Sequence, residues 1–303
     1  MTFDRWQIGS VRVTRIIEHE DHGVPPGLVI AGLDEAQVRA LHWLCPHYAD
    51  PEGTLKMSIH AFIIESEGRR IIVDTCVGND KPRNHPDWNM TSIPFLERMA
   101  QAGFAPSTID IVLCTHMHID HVGWNTLWDG AAWVPTFTNA RYLFGRIEWE
   151  HWSAPDHGQG DVPAEIGPFI ETDSIIVDSV QPIIDAGLHA LVETDHRITG
   201  EVMLISTPGH TPGHVSVRIE SRGHTAIITG DMAHHPIQFA DPSLCSNFDD
   251  DRARGATTRH AFVKAHADTD VLVLGTHFTA PTGGHIVSAA DGWRFIPPAA
   301  KET

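Results

Sequence analysis

An α/β fold is the class that this sequence predicts, and three observations point to it. Short apolar, β-branched runs alternate along the chain with stretches of helical pattern. Several of those runs stop on His or Asp, often beside Gly, so metal-type side chains recur just after buried strands. The third observation is size. A chain of 303 residues with 42% apolar content can bury a sizeable core, and no Ser/Gly-rich linker divides it, so a single domain over 1–303 is expected.

Taken in order, the first strand is expected near 10–17, where Val11, Val13, Ile16 and Ile17 fall. The stretch from Glu18 to Lys56 is too long for a hairpin connection. With Pro25-Pro26, a helix start at Asp34-Glu35, Trp43 and Tyr48, it reads as an N-terminal insertion or lid at about 18–56, holding a helix near 34–44. Strands follow near 59–65 and 70–74, the second ending in Asp74, and then a helix near 92–103. Ile111 to Cys114 is an apolar, β-branched segment after a charged turn, which predicts a buried strand over 110–114. A strand near 141–144 and a helix near 146–152 come next. The later part repeats the scheme: 202–206 leads into TPGHTPGH with His210 and His214, and a strand over 214–219 follows. The run 225–229 leads into Gly230-Asp231, and 271–274 into Gly275-Thr276-His277. Between these last two, a helix over 252–266 begins after Asp249-Asp250-Asp251, whose charge suits a helix N-terminus.

The chemistry concentrates in CTHMHIDHVG, where His116, His118, Asp120 and His121 supply more metal-binding groups than a structural role requires. Spacing says what kind of site this is. A zinc helix of the His-Glu-x-x-His type needs ligands four apart on one helical face, whereas His116 and His118 are two apart and imply an extended or turning backbone. There, alternate residues share a side, so His116 and His118 can bind one ion while Asp120 and His121, past the bend, point toward a second. Imidazole and carboxylate without thiolate suit Zn²⁺, with Mn²⁺, Fe²⁺ or Co²⁺ as alternatives. Taken alone, Asp231 and His277 would read as cap or turn residues, and only their setting after buried strands makes them candidates; His214, opening a strand, reads as packing or hydrogen bonding.

These segments together resemble the metallo-β-lactamase superfamily over about residues 58 to 290. The resemblance implies an αβ/βα four-layer sandwich with a dinuclear site at one edge of its two sheets. Carried over by position, it implies His116, His118 and His210 around one metal, Asp120, His121 and His277 around the other, and Asp231 bridging them. Asp74 matches the aspartate that orients a ligand or the strand end without binding metal. Two ions about 3.5 to 4 Å apart would share a water ionised near neutral pH, the nucleophile of a hydrolysis. Asp120 is also a candidate for passing a proton to the departing alkoxide.

One position bears on the branch. Acyl-homoserine lactonases usually carry a tyrosine three residues after the bridging aspartate, where this chain has His234. The run Gly-Asp-Met-Ala-His is more similar to the branch holding methyl parathion hydrolases and related lactonases and esterases, with His234 binding or protonating near the leaving group. Flavodiiron-type members put Glu where His118 stands, and Asp231 weakens a penicillin-hydrolysing reading. The expected activity is hydrolysis of small lactones or carboxylic esters. Alternatives are organophosphate triester hydrolysis, β-lactamase-like or thioester hydrolysis, and, from another class, a non-catalytic metal-binding module.

Aromatic residues crowd the segments around the quartet, and Trp124 and Phe278 are expected to wall a substrate pocket. A net charge of −18 argues against nucleic acid or an anionic membrane and favours a neutral or weakly charged small substrate. The start of the chain lacks the charged-then-apolar pattern of an export signal, and no apolar stretch reaches 18 residues, so a cytoplasmic protein is expected, with a homodimer possible from the resemblance. Cys45, Cys76, Cys114 and Cys245 have no C-x-x-C spacing and read as reduced, buried hydrophobes.

Overall fold

The computed structural model describes residues 3–154, 166–169, 172–290 and 292–298. In chain order the strands are β1 (Arg5–Ile8), β2 (Val11–Val24), β3 (Leu55–Ser66), β4 (Arg69–Val73), β5 (Ile111–Leu113), β6 (Thr126–Trp128), β7 (Trp133–Pro135), β8 (Arg141–Gly145) and β9 (His189–Val192). They continue as β10 (Val202–Ser206), β11 (Val215–Ser221), β12 (His224–Ile228), β13 (Leu272–Leu274), β14 (Gly283–Ala289) and β15 (Gly292–Ile296). A seven-stranded sheet runs β1-β2-β3-β4-β5-β8-β9, a six-stranded sheet runs β10 to β15 in sequence order, and β6-β7 is a separate hairpin.

Side-chain alternation builds the layers. Along β3, Phe62 and Ile64 join a core shared with Val217, Ile219, Ala226 and Ile228 of the other sheet, while Ile59, Ala61 and Ile63 face the helical side with Phe95 and Met99. Along β12, Ala226 and Ile228 face the first sheet, and Ile227 faces Phe262 and Val263 of the helix Arg252–His266. Helices, sheet, sheet, helices: the four layers follow from both faces of both sheets being apolar. Phe62 sits in the middle layer, 1% exposed, edge-on to Trp6. Phe62→Ala is therefore expected to lower unfolding stability by about 3–5 kcal/mol, read as a shift in denaturant midpoint at constant m-value. A loss below about 1 kcal/mol would contradict this placement of the core.

The sheets also decide where the functional loops emerge. β4 and β5 are parallel, with Val73 opposite Leu113, and β12 and β13 are parallel, with Ile228 opposite Leu274. Parallel neighbours release their following loops at the same end. Asp74, the quartet, Gly230-Asp231 and His277 thus leave one edge, joined there by residues 207–214, which connect the antiparallel pair β10 and β11. A hydrogen bond from Val215 N to the Thr115 carbonyl (3.2 Å) ties the two sheets together beside this edge.

Where expectation and structure differ, the causes are local. Strand β2 continues to Val24 through bulges at Ile17/His19 and His22/Val24, so the excursion opens after Val24 rather than at Glu18. Its helix is Glu35–Ala40, capped by a reciprocal Asp34–Gln37 box, and it stops at Leu41 before a 3₁₀ turn over His42–Leu44. Asp251 caps the helix Arg252–His266 through Arg254 N (2.9 Å). Strands β1, β6, β7, β9, β14 and β15 escape the sequence reading because they are short, polar or interrupted by glycine. The four cysteines are free, but only Cys76 and Cys114 are buried; Cys45 and Cys245 are partly exposed. Among the described residues no helix is long and apolar enough to cross a membrane.

Candidate metal centre

Five loop segments at one sheet edge bring their polar residues together. His210 Nε2 lies 2.9 Å from His118 Nδ1 and 3.2 Å from His116 Nε2. Asp120, His121 and His277 form a second group, with Asp120 oxygens 3.5 Å from the Nε2 atoms of both His121 and His277. Asp231 stands between them. Its Oδ2 is 3.8 Å from His116 Nε2, 3.3 Å from His121 Nε2, 3.5 Å from His210 Nε2, 3.1 Å from His277 Nε2 and 3.2 Å from His234 Nε2. Within each of four such triplets the donor atoms lie within 4.8 Å of one another, and one triplet is His210, Asp231 and His234.

Backbone shape aims these groups. Gly230 has φ +55°, and a Cβ there would fall 2.5 Å from His214 Nε2, so only glycine permits the turn that carries Asp231. His214 Nε2 accepts from Asp231 N (2.8 Å) while its Nδ1 faces the Thr207 carbonyl (3.0 Å), which places this histidine under the cluster as a support. Two of the rings that face the centre, His210 and His277, are backed from behind by an acceptor, and His121 has a carboxylate beside it. Asp74, itself at φ +59°, accepts from Thr115 N (2.8 Å) and stands 3.0 Å from His121 Nδ1. The Ser58 carbonyl backs His277 Nδ1 (3.1 Å), and Asp249 Oδ1 backs His210 Nδ1 (3.2 Å). The acceptors behind His277 and His210 fix the tautomer and orient the ring, whereas Asp74 meets His121 as a charge, with no hydrogen bond to Nδ1.

Electrostatics divide the rings into two sets. Burial pushes His116 and His210 well below the usual imidazole range and His118 to about 4, so these three are neutral, the form that ligates a cation. Burial opposes charge on His121 and His277 as well, but there Asp231 leads the carboxylates that outweigh it, and both are raised. Asp231 is held well below the carboxylate range because the surrounding rings, His121 first, overcome its burial. The cluster thus attracts positive charge. His121 Nε2, Asp231 Oδ1 and His234 Nδ1 are buried with no hydrogen-bond partner among the described residues, a state that calls for a partner. Donor type and orphaned atoms together fit divalent metal ions.

Above the cluster is a cavity of about 310 Å³ with His118, Asp120, His210, Asp231, His234 and His277 on its floor. Its walls are not the ones expected. Trp124 turns into the core, stacked on Phe95 (5.7 Å) and donating Nε1 to Glu18 (2.6 Å). Phe278 is fully buried among Tyr48, Phe239 and Phe295. The 3₁₀ turn Gly123–Asn125 carries Trp124 behind the ligand loop, and the chain reverses after His277, so neighbours in sequence face opposite ways. The walls are instead Trp88, Phe169 and Phe248, with Leu28 and Val29 from the excursion between β2 and β3. His22, Asp21 and Asp87 also line the cavity.

Sequence reasoning also missed Glu148. Fully buried, it accepts from Met117 N (3.2 Å), Gly213 N (2.8 Å) and Trp152 Nε1 (2.9 Å), pinning the loops of His116–His118 and His210 to one carboxylate. Its place in the helix expected near 146–152, away from the ligand runs, gave no signal.

The family model of the metallo-beta-lactamase superfamily matches residues 56–277. The chain belongs to that superfamily and is a hydrolase of its fold. Among its curated relatives is the N-acyl homoserine lactonase of Bacillus thuringiensis, 23% identical over 222 residues that cover 69% of this chain and 77% of that protein. Among solved structures, AbOPH, a hydrolase of the beta-lactamase superfamily, superposes with a TM-score of 0.80 at 24% identity, covering 99% of this chain and 98% of that one. AidC, a dizinc quorum-quenching lactonase solved with a product, superposes with a TM-score of 0.80 at 19% identity, covering 98% and 97%.

Proposed function

We propose that this chain is a dinuclear, zinc-dependent hydrolase of small, uncharged lactones or carboxylic esters. The observation that carries the proposal is Asp231 Oδ2, set 3.1 to 3.8 Å from five imidazole nitrogens on the floor of a largely apolar cavity. Residues His116, His118 and His210 would hold one ion, Asp120, His121 and His277 the other, and Asp231 would touch both. Ions bound there would supply an ionised water at neutral pH and a Lewis acid for the substrate carbonyl. Curated relatives that are N-acyl homoserine lactonases support a lactone substrate, and the zinc of AidC supports the metal.

The remaining steps fall to side chains. The apolar faces of Leu28, Val29 and Phe248 would take the acyl or ring carbons and exclude water, while Asp21 and Asp87 at the rim would repel a free carboxylate. Asp120, on the floor with a side chain 13% exposed, is placed to receive a proton and hand it to the leaving alkoxide. His234, stacked parallel to His277 at 5.5 Å with Nε2 turned to the centre 3.2 Å from Asp231 Oδ2, would hold the leaving oxygen. The aromatic wall of Trp88, Phe169 and Phe248 favours a second reading, in which an aryl phosphotriester occupies the same pocket.

A panel of lactones, aryl carboxylic esters and aryl phosphotriesters on zinc- or manganese-loaded protein tests the proposal. Turnover of a lactone or carboxylic ester is expected, with His234→Ala lowering kcat by about 10²-fold. Faster turnover of phosphotriesters would transfer the assignment to the second reading. No turnover of any member, by protein shown to bind metal, would favour a non-catalytic module.

A further inference from the structure

The helix Arg252–His266 sends one guanidinium into the interior. Arg259 is 0% exposed; its Nη1 is 3.2 Å from Asp249 Oδ2 and 3.3 Å from the Met232 carbonyl, and its Nε is 3.3 Å from the Pro242 carbonyl. Asp249 Oδ2 also accepts from Ser246 N (3.0 Å), and Oδ1 faces His210 Nδ1 at 3.2 Å. Gly255, one turn earlier on the helix, makes room: a Cβ there would come within 3.1 Å of Asp249 Oδ2 and 3.3 Å of Arg259 Nη1. A chain of contacts thus runs from the helix through Arg259 and Asp249 to His210, with a branch to the carbonyl next to Asp231.

Stability alone does not account for a charged pair here, although removing one partner would leave the other buried and uncompensated. Desolvation offsets most of the attraction in a buried ion pair, and apolar side chains of similar volume often serve as well. What apolar filling could not supply is an anionic acceptor at His210 Nδ1, which fixes the ring and turns Nε2 toward His116 and His118. His121 is backed differently. Asp74 is held by the amide and hydroxyl of Thr115, with no Lys or Arg paired to it among the described residues. The two halves of the cluster therefore stand beside separate carboxylates: Asp249 faces His210 Nδ1 within hydrogen-bond distance, Asp74 lies 3.0 Å from a His121 Nδ1 that makes no hydrogen bond, and among the described residues Asp249 alone of the two is shared with a guanidinium.

We infer that Asp249 and Arg259 are a positioning pair that sets the metal affinity of the His116, His118 and His210 position, separately from that of the Asp120, His121 and His277 position. The inference rests on reading the cluster as a two-ion centre. Asp249 acts through the His210 ring, and Arg259 acts by keeping Asp249 in place.

The test titrates metal-stripped protein with Zn²⁺ against a chromogenic chelator, for the unaltered chain and for Asp249→Asn, Arg259→Met and Phe262→Leu. The unaltered chain is expected to take up two equivalents. In Asp249→Asn and Arg259→Met one equivalent should weaken by about 10- to 100-fold while the other stays within about twofold. Both variants should also lose the downfield His210 ring-proton resonance in the metal-free state. Phe262→Leu loosens the same helix against Phe239 (6.0 Å) and should lower Tm without moving either affinity. Equal weakening of both equivalents, or a drop in Tm with both affinities retained, would overturn the inference and leave the two-ion reading standing. Failure of the unaltered chain to bind two ions would overturn both.

Discussion

Asp231→Asn is expected to reduce kcat/KM, for whichever ester or lactone the metal-loaded protein hydrolyses, by about 10³-fold or more. The magnitude follows from two effects acting together. Asn keeps the shape but removes the charge that five ring nitrogens share at 3.1 to 3.8 Å, so those buried rings lose their common counter-charge. The same change would loosen both ions of the proposed centre, whose stabilisation of developing charge is worth several kcal/mol, about three powers of ten in rate. The measurement is steady-state kinetics at saturating metal, with circular dichroism to show that the fold persists. A variant within about tenfold of the unaltered enzyme would mean that Asp231 is not central to the site.

Stripping the metal with a chelator is expected to abolish hydrolysis and lower stability together. Carboxylates and rings arranged around an ion repel or strand one another without it, and His121 Nε2 and Asp231 Oδ1 already lack hydrogen-bond partners among the described residues. If free metal stood at about a thousand times its dissociation constant, its removal would take away about 4 kcal/mol of unfolding free energy. Differential scanning calorimetry of stripped and reloaded samples would read this as a reversible fall in Tm. An unchanged Tm, with activity retained in excess chelator, would contradict a metal role for the cluster.

Much of the sheet framework was legible in the sequence because runs such as Ile71 to Val73 and Ala226 to Ile228, buried on both faces, are short, rich in β-branched residues and bounded by polar or glycine-containing turns. The geometry gathers the expected ligand residues for a related reason. His116, His118 and Asp231 each follow a strand end by a few residues, and parallel pairing turns positions along the chain into neighbours in space. Side-chain direction in loops was not legible. Trp124 and Phe278 are adjacent in sequence to the ligand loops, yet a 3₁₀ turn and a chain reversal turn both into the core. Phe169 and Phe248 reach the pocket from distant stretches that carry no periodic pattern, so nothing in the residues themselves announced them. Asp249 was read as part of a helix N-terminus; that role belongs to Asp251, which leaves Asp249 free to turn inward to His210.

The proposed centre draws the ligands of two divalent ions from four separate loops. Crystals of protein grown with zinc, with diffraction data collected on both sides of the zinc absorption edge, test it most directly. Two anomalous peaks are expected, one among His116, His118 and His210 and the other among Asp120, His121 and His277, with Asp231 in contact with both. The absence of any peak at this sheet edge, from protein that elemental analysis shows to contain zinc, would contradict it.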